Sequence, residues 1–305
     1  MDKQACAERF TSGFVALVGR PNAGKSTLLN ALVGRKLAIT SPVAQTTRRR
    51  MRAVVDTERS QLVIIDTPGL HKPKDELGKE LNRAALGELD DADAIAMLIA
   101  ADSNVGRGDA WVAAHVQESS APYKLLVITK ADLVDPKRAQ DQLEAARGLT
   151  HFDDAIVVSA KESFNLNAFI SCVSAHMPEG PRWFPAGVTT DMSDEELVAE
   201  FVREKAFRNL RQEIPHSLAV RCDEIAWKGD GHASIRATIL VEREGQKGIV
   251  IGRNAQMLKK IGTEARRDIE RLLDAHAYLE LRVQVQPAWR RDKGEIRRLG
   301  LAADE

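Results

Sequence analysis

Residues 19–26 read GRPNAGKS and combine two glycines, a lysine and a serine in a spacing that can hold phosphate. Glycines allow backbone N–H groups to turn inward around phosphate oxygens, and the N-terminus of a following helix adds its dipole. An apolar run before the motif and a helical pattern after it supply that context. Lys25 would reach the β- and γ-phosphates of a nucleotide, and Ser26 would ligate Mg²⁺. A glycine-rich turn without a ligand is the alternative if the motif is considered alone.

Three further polar segments each follow an apolar run: DTPG at residues 66–69, TKAD at 129–132 and SAK at 159–161. Asp66 could hold Mg²⁺ through water, and the N–H of Gly69 could contact a γ-phosphate. Asp132 could accept hydrogen bonds from N1–H and N2–H₂ of guanine, a pair of donors that adenine lacks. Backbone N–H groups of SAK could meet guanine O6. Because ligands bind at the carboxyl ends of strands in open α/β sheets, these segments together predict one guanine-nucleotide site.

The first half of the chain alternates short apolar runs with helical patterns, which predicts an α/β fold with a doubly wound, mostly parallel sheet. The runs are residues 14–19, 62–66, 94–101, 125–129 and 155–159. Residues 51–56 predict an additional antiparallel strand, because the polar residues 57–60 after them resemble a hairpin turn.

The segment PEGPRWFPAG at residues 178–187 interrupts these patterns with three prolines and two glycines, and it predicts a domain linker. We expect a first domain at residues 10–180, a linker at 181–192, and a smaller α+β domain at 193–302 with a basic tail. Trp183 and Phe184 are expected to pack at the domain junction. A capping box of Ser193 and Glu196 starts the second domain, whose predicted order is α-β-β-α-α-β.

Five phrases make nearly the whole chain resemble the Era-type GTPases: GRPNAGKSTLLNAL, QTTR, DTPGLH, QKGIVIG and WRRDKGEIRRLG. The resemblance implies a Ras-like, translation-factor-related P-loop GTPase domain followed by a type II KH domain. It implies hydrolysis of GTP to GDP with Mg²⁺, binding of small-subunit ribosomal RNA, and a role in assembly of the small ribosomal subunit. The implied nucleotide contacts are Gly19, Arg20, Pro21, Asn22, Ala23, Gly24, Lys25, Ser26, Thr27, Asp66, Thr67, Pro68, Gly69, Leu70, Thr129, Lys130, Asp132, Ser159, Ala160 and Lys161. The implied catalytic groups are Lys25, Thr47, Gly69 and Asn22, and the implied magnesium ligands are Ser26, Thr47 and Asp66.

The segment ITSPVAQTTRRR is switch I by this resemblance, and Thr47 would close on Mg²⁺ there, with Thr46 as the alternative. Leu70 stands where Ras-like enzymes commonly carry a glutamine that orients the attacking water. In related GTPases with a hydrophobic residue at this place, an asparagine such as Asn22 can help to hold a potassium ion. We therefore expect slow turnover that K⁺ assists. His71 is a candidate base, and a solvated loop histidine is its other interpretation.

Thr129 departs from the resemblance, because the family usually has asparagine there. Asparagine bonds the base and braces the phosphate loop, and the threonine hydroxyl can do part of this. We expect weaker nucleotide binding, with guanine selectivity resting mainly on Asp132.

The sequence GRNA at residues 252–255 matches the position of the G-x-x-G loop with which KH domains clamp about four nucleotides of single-stranded RNA. The isoleucines before it could contact bases and the lysines after it could contact phosphates. The implied RNA-binding residues are Ile249, Ile251, Gly252, Arg253, Asn254, Ala255, Lys259 and Lys260. Ala255 replaces the second glycine and would resist a positive φ. A helix–helix turn with solvated charges is the alternative.

The chain of 305 residues carries 44 basic and 44 acidic side chains, so any charge signal must be local. Residues 247–298 hold 13 basic and 7 acidic side chains, which is typical of a surface that follows a nucleic-acid backbone. No apolar run approaches the ~20 residues of a membrane span. The three scattered cysteines fit a reducing compartment. We expect a cytoplasmic monomer, with weak peripheral association at the inner face of the membrane as a secondary expectation.

Two other classes of protein compete with this interpretation. A P-loop kinase or metabolic ATPase shares the phosphate motif, but the TKAD and SAK segments argue against it. A peripheral membrane or cell-cycle signalling GTPase would use its second domain to bind protein or lipid.

Overall fold

The computed structural model describes residues 9–40, 51–67, 69, 76–210, 214–229 and 231–301. These residues form two compact units. The first contains the described residues of 1–35, 50–71 and 85–191, and the second those of 36–49, 72–84 and 192–305.

A six-stranded sheet organises the first unit, in the order β2-β3-β1-β4-β5-β6. Its strands are β1 (Thr11–Val18), β2 (Met51–Asp56), β3 (Ser60–Asp66), β4 (Ala94–Ala100), β5 (Tyr123–Thr129) and β6 (Asp154–Val157). All neighbouring pairs are parallel except β2 and β3, which confirms the predicted antiparallel strand. Strand β4 is buried along its whole length, as expected for a parallel strand covered on both faces.

The helices of this α/β layer are α1 (Lys25–Val33), α2 (Glu76–Asp90), α3 (Arg107–Glu118), α4 (Pro136–Arg147) and α5 (Leu166–Ser174). The part of α2 from Ala85 onward belongs to the first unit, where Ala85 and Leu89 pack in a cluster with Ile95 and Val112. The loops that follow the carboxyl ends of β1, β3 and β5 carry the candidate nucleotide residues.

The second unit has the predicted order α-β-β-α-α-β, with short additions. Its elements are α6 (Asp194–Asn209), α7 (Ile214–Ser217), β7 (Ala219–Lys228), β8 (His232–Val241), α8 (Glu244–Ile251), α9 (Gln256–Leu273), β9 (His276–Val285) and α10 (Lys293–Arg298). The Ser193 hydroxyl accepts from the Glu196 N–H at 3.3 Å, and the Glu196 carboxylate accepts from the Ser193 N–H at 3.0 Å. This confirms the predicted capping box.

A three-stranded sheet, β7-β8-β9, supports the helices of the second unit. Strands β7 and β8 are antiparallel, whereas β8 and β9 are parallel. Helix α9 buries Ile261, Ala265 and Ile269, which recur every four residues and therefore line one face. The opposite face of α9 is consequently left to solvent.

The basic tail folds onto the second unit. The ring of Trp289 is fully buried, and its Nε1–H donates to the carbonyl of Ser217 at 2.9 Å. Trp289 clusters with Leu240, Ile296 and Leu299, so the apolar residues of the tail hold α10 in place.

The segment around Trp183 and Phe184, expected at the domain junction, packs on the first unit. Their N–H groups donate to the side-chain oxygen of the buried Gln61 at 2.8 and 2.9 Å. The ring of Trp183 lies 5.2 Å from that of Phe14. Among the described helices, none combines the length and the apolar character needed to cross a membrane.

Candidate nucleotide site and nucleic-acid interface

The phosphate loop lies between the end of β1 at Val18 and the start of α1 at Lys25. Its backbone turns through positive φ values at Asn22 (65°) and Gly24 (93°). At Gly19 the chain passes so close to β4 that a Cβ would lie 2.5 Å from the carbonyl oxygen of Leu98. Glycine is therefore required at this position, and the loop can curl its N–H groups around an anion.

Lys25 is buried at the mouth of this loop. Its ammonium group donates to the carbonyls of Gly19 at 3.0 Å and Arg20 at 3.2 Å. Burial lowers the pKa of Lys25 to about 8, and the nearby carboxylate of Asp66 opposes part of that shift. A Cβ at Gly69 would lie 3.3 Å from Nζ of Lys25, so the DTPG segment borders the same space.

Ser26 and Asp66 place two side-chain oxygen atoms close together near Lys25. The Ser26 hydroxyl donates to the buried Asp66 carboxylate at 2.7 Å. A hydroxyl and a carboxylate at this separation fit a magnesium ion, which prefers oxygen ligands and binds proteins through few of them. Thr47, the third predicted ligand, lies outside the described residues, as do Thr46, Pro68, Leu70 and His71.

Thr129 joins the end of β5 to the phosphate loop. Its buried hydroxyl donates to the carbonyl of Ala23 at 2.6 Å. A Cβ at Gly24 would lie 3.3 Å from the same hydroxyl. The threonine thus supplies the brace to the phosphate loop that an asparagine was expected to supply. Thr67 ties its own segment to β1 in a similar way, through a bond to the carbonyl of Leu17 at 2.8 Å.

A pocket next to the phosphate loop gathers predicted residues from three separate segments. Asp132 accepts a hydrogen bond from the Ser159 hydroxyl at 2.7 Å, and Nζ of Lys161 lies 3.9 Å from its other oxygen. Lys130 adopts a left-handed φ of 58° and pairs with Asp102 at 3.0 Å. The pocket is lined by Gly24, Thr27, Leu28, Thr129, Lys130, Asp132, Leu133, Val158, Ala160 and Lys161.

Sequence reasoning missed the apolar lining of this pocket, formed by Leu28, Leu133 and Val158. Leu28 and Val158 are fully buried and resemble ordinary core residues in the sequence. Leu133 is 53% exposed and follows Asp132 directly, and this exposure is visible only in the fold.

The sequence also did not indicate the partner of Arg20. The Arg20 guanidinium donates to the buried carboxylate of Asp109 at 2.9 Å, across 89 residues of sequence. Asp109 also accepts from the N–H of Gly106 at 2.9 Å and so caps α3. The carbonyl of Arg20 is one of the two that bind Lys25. The buried carboxylate of Asp109 therefore holds Arg20, and the carbonyl of Arg20 helps to position Lys25.

The turn between α8 and α9 presents its backbone and its cations to solvent. Gly252 has a φ of 73°, and a Cβ there would lie 2.7 Å from Cβ of Met257. Asn254 and Ala255 also lie in the left-handed region, with φ values of 50° and 58°. Ala255 was expected to resist a positive φ, but it adopts one. The N–H of Ala255 donates to the carbonyl of Gly252 at 3.2 Å, which closes the turn.

The remaining predicted RNA-binding residues flank this turn. Arg253, Lys259 and Lys260 are exposed. Ile249 is 53% exposed, and Ile251 is partly buried. An exposed isoleucine beside a cationic turn is a surface that can contact a base and its phosphate together.

The fold and these sites define a P-loop guanine-nucleotide-binding protein that carries a KH-type nucleic-acid-binding domain. Residues 14–130 match the family of 50S ribosome-binding GTPases, and residues 213–290 match the KH domain family. The structure is similar to that of Era in complex with MgGDPNP and nucleotides 1506–1542 of 16S ribosomal RNA, with a TM-score of 0.91 and 36% identity. That match covers 96% of this chain and 99% of the other. A point variant of Aquifex aeolicus Era bound to GDP·AlF4⁻ is equally similar, with a TM-score of 0.91, 36% identity, and coverage of 96% of this chain and 100% of that one. The chain belongs to the Era family of GTPases.

Proposed function

We propose that this protein is a GTPase that binds small-subunit ribosomal RNA through its KH domain and acts in assembly of the small ribosomal subunit. The observation that carries the proposal is the full-length likeness to Era bound to MgGDPNP and 16S ribosomal RNA. The local sites support it, because a phosphate loop, a guanine-type carboxylate and a cationic helix turn occur in one chain.

In the nucleotide site, the curled loop of residues 19–24 binds the phosphates and Lys25 contacts the β- and γ-phosphates. Ser26, Asp66 and Thr47 hold the magnesium ion, which neutralises charge on the phosphate oxygens. Asp132 selects guanine by accepting hydrogen bonds from the N1–H and N2–H₂ groups of the base, and the hydroxyl of Ser159 donates to the same carboxylate. Thr129 keeps the phosphate loop in the shape that Lys25 requires.

Leu70 occupies the position at which Ras-like enzymes use a glutamine to orient the attacking water, so hydrolysis by this chain proceeds without that group. We assign slow intrinsic turnover, increased by K⁺ held with the help of Asn22. Turnover measured in KCl and in NaCl at equal ionic strength tests this assignment. Faster turnover in KCl that is lost in Asn22→Ala supports it, and equal rates in the two salts contradict it.

In the KH domain, residues 252–255 clamp the RNA backbone, with α8 and α9 as the walls of the groove. Ile249 and Ile251 contact bases, while Arg253, Lys259 and Lys260 contact phosphates. The domain limits that accompany this assignment are residues 10–180 for the GTPase, 181–192 for the linker and 193–302 for the RNA-binding part.

Two binding measurements test the function. GTP should bind far more tightly than ATP, and equal affinities would favour the kinase or ATPase class. Arg253→Glu and Lys259→Glu should weaken binding to the 1506–1542 segment of 16S ribosomal RNA and leave GTP turnover nearly unchanged. Lys137→Glu, an exposed cation on α4, is the matched control. RNA affinity that survives both reversals would contradict the assignment.

We assign this function to the cytoplasm, because the proposed role requires access to the small ribosomal subunit. Fractionation of cells into ribosomal, soluble and membrane pools tests the location. Recovery with the membrane pool and with no ribosomal RNA would instead favour a signalling GTPase.

A further inference from the structure

The outer face of α9 carries positive charge that continues beyond the clamping turn. Buried Ile261, Ala265 and Ile269 fix the rotation of the helix, so the residues opposite them face solvent. Lys259, Lys260, Thr263, Arg267 and Arg271 are all exposed there. Arg271 lies twelve positions after Lys259 in the sequence. At about 1.5 Å of helix rise per residue, the row therefore extends about 18 Å along α9, away from the clamping turn.

The acidic side chains of α9 have partners of their own, although Glu264 also borders the row and Asp268 lies near Arg271. Glu264 accepts from the side-chain amide of Asn209 at 2.7 Å. Asp268 is only 12% exposed and pairs with Lys36 at 2.6 Å and with Lys205. The exposed Arg271 lies 3.7 Å from that same carboxylate, on its far oxygen.

One other acid on α9 has partners of its own. Glu270 accepts from the N–H of Ala277 at 3.2 Å and lies 3.8 Å from Arg266. Arg266 is therefore balanced by Glu270. Lys259, Lys260 and Arg267 retain their charge for an external partner, and so does Arg271, because the Asp268 carboxylate near it already pairs with two lysines.

The row lies along a shallow groove with polar walls. Gln256, Lys259, Lys260, Thr263, Glu264 and Arg267 line a shallow groove along the helix. Its cations and hydroxyl suit phosphate oxygens rather than the flat faces of bases, which aromatic side chains recognise. Membrane-surface helices pair a basic face with an apolar one that enters the lipid, and the apolar face of α9 is in the core.

We propose that Lys259, Lys260, Arg267 and Arg271 form a phosphate-binding row that extends the RNA site along α9. The row binds the backbone of the single-stranded RNA segment next to the nucleotides clamped by residues 252–255. The inference rests on the proposed RNA-binding function and adds a second segment of RNA to it. The row reads no bases, so it adds affinity and salt dependence without adding sequence preference.

Two RNA probes of different length separate the row from the clamp. The long probe is the 1506–1542 segment of 16S ribosomal RNA, as in the Era complex. The short probe is the tightest binder from an overlapping set of about six-nucleotide pieces of it, just longer than the clamp of about four. The double variant Arg267→Glu/Arg271→Glu should bind the long probe about tenfold more weakly and the short probe as the wild type does.

Salt dependence provides a second readout. Each phosphate contact on a single strand contributes about 0.7 to the slope of log affinity against log salt, so the double variant should lose about 1.4 from that slope. The control is Lys137→Glu/Arg147→Glu, which reverses two exposed cations on α4 and changes the net charge equally. Unchanged melting and unchanged GTP turnover without RNA establish that the variants are folded.

The possible outcomes test the inference separately from the proposed RNA-binding function. Equal long-probe affinity and an equal slope in the double variant and the wild type would overturn the inference alone. A variant that loses binding to anionic vesicles but retains both RNAs would overturn it in favour of a lipid surface. Failure of the wild type to bind either RNA would overturn the proposed function, and the inference with it.

Discussion

Thr129 shows how a single hydroxyl can take over part of an asparagine's role. Its bond to the Ala23 carbonyl at 2.6 Å is buried, so removing the donor leaves an unsatisfied carbonyl in the phosphate loop. A threonine has no amide with which to contact the base as well. Loop shape and base selection are therefore assigned to different residues here, Thr129 and Asp132.

Replacing Thr129 by valine tests this division, because valine preserves the shape and removes the hydroxyl. We expect GDP and GTP to bind about 1–2 kcal/mol more weakly, or roughly 5- to 30-fold, from the lost buried bond. The preference for GTP over ATP should remain, because Asp132 is unchanged. Titration with fluorescent nucleotides measures both quantities. Wild-type affinity in the variant would show that the hydroxyl braces nothing.

Ala255 occupies a left-handed backbone conformation that costs a residue with a Cβ about 1–2 kcal/mol. Ala255→Gly removes this cost and adds about 0.4–1 kcal/mol of entropy to the unfolded chain. The free energy of unfolding, measured by urea titration, should therefore rise by up to about 1 kcal/mol. Ala145→Gly, at an exposed helical position of α4, is the opposite control and should lower it by about 1 kcal/mol. A decrease of similar size in both variants would show that Ala255 is unstrained.

Residues in short sequence motifs could be predicted, whereas contacts between residues far apart in the sequence could not. The phosphate loop, Ser26 and Asp66 could be predicted because each lies in a short motif whose spacing reflects its chemistry. The bond from Thr129 to Ala23 spans 106 residues, so the sequence could suggest a hydroxyl but not its acceptor. The φ of Ala255 depends on packing between α8 and α9, which residue type alone does not encode.

At the scale of elements, the Arg20–Asp109 pair connects the phosphate loop to the start of α3. The carboxylate is buried and the guanidinium partly exposed, with side-chain exposures of 4% and 42%. The pair thus acts as a positioning contact for the loop and leaves the phosphates to Lys25. Its loss should loosen nucleotide binding more than it slows the chemical step.

Asp109→Asn retains an oxygen for the Gly106 N–H while removing the charge that holds Arg20. We expect the KM for GTP to rise about fivefold, equivalent to about 1 kcal/mol for a half-exposed charged bond, with kcat nearly constant. Asp135→Asn is the matched control, because Asp135 caps α4 through the Arg138 N–H at 2.8 Å. Steady-state GTP turnover separates the two parameters. A fall in kcat at constant KM would contradict a positioning role.

The regular elements could largely be predicted, and the irregular ones could not. The buried parallel strands are continuous apolar runs and α9 is amphipathic, so both types of element have strong sequence signals. Helix α10 was missed because its sequence is dense in charge and its stability comes from Trp289 packing on distant residues. The exact start of β9 at His276 depends on its pairing with His232 of β8, a contact that the order of elements alone does not indicate.

At the scale of the whole molecule, one buried carboxylate joins parts of the second unit that are far apart in sequence. Glu204 on α6 is fully buried and accepts bonds from Lys36, from Lys205 at 2.6 Å, from the Thr40 N–H at 3.0 Å and from Arg208 at 3.0 Å. Burial alone would raise the pKa of Glu204, but the bonds from Lys205, Lys36 and Thr40 outweigh it and lower the pKa. The pKa of Asp268, which shares both lysines, is lowered for the same reasons.

These lowered pKa values predict an acid-sensitive second unit. A carboxyl group with a depressed folded-state pKa stabilises the protein above its unfolded pKa of about 4, and that stabilisation is lost as pH falls through the folded pKa. We expect stability to be constant near neutral pH and to fall below about pH 4. Glu204→Gln should lose about 2–3 kcal/mol of stability at pH 7, because it leaves Lys36 and the buried Lys205 with one partner carboxylate fewer. It should also show a shallower acid decline. Urea unfolding across this pH range measures both, and an equally steep decline in the variant would contradict the role of Glu204.

The sequence predicts that positive charge is concentrated in one part of the chain. It does not predict which segments of the chain make up each of the two units. A neutral chain with a basic segment at residues 247–298 implies a local cationic surface. The described residues of 36–49 and 72–84 group with the second unit, although they precede its main stretch by more than 100 residues. Contacts such as that of Lys36 with Asp268, across 232 residues, leave no periodic trace in the sequence.

The parallel pairing of β8 with β9 has a consequence for how the protein is made. Strands β7 and β8 can form a hairpin across the turn at Gly231, whereas β9 follows only after α8 and α9. During translation the chain emerges from its N-terminus, and non-local strand pairs form slowly. The sheet beneath the cationic turn therefore closes late, when its last strand has left the ribosome. A newly made copy therefore acquires its nucleic-acid surface only after β9 has been synthesised.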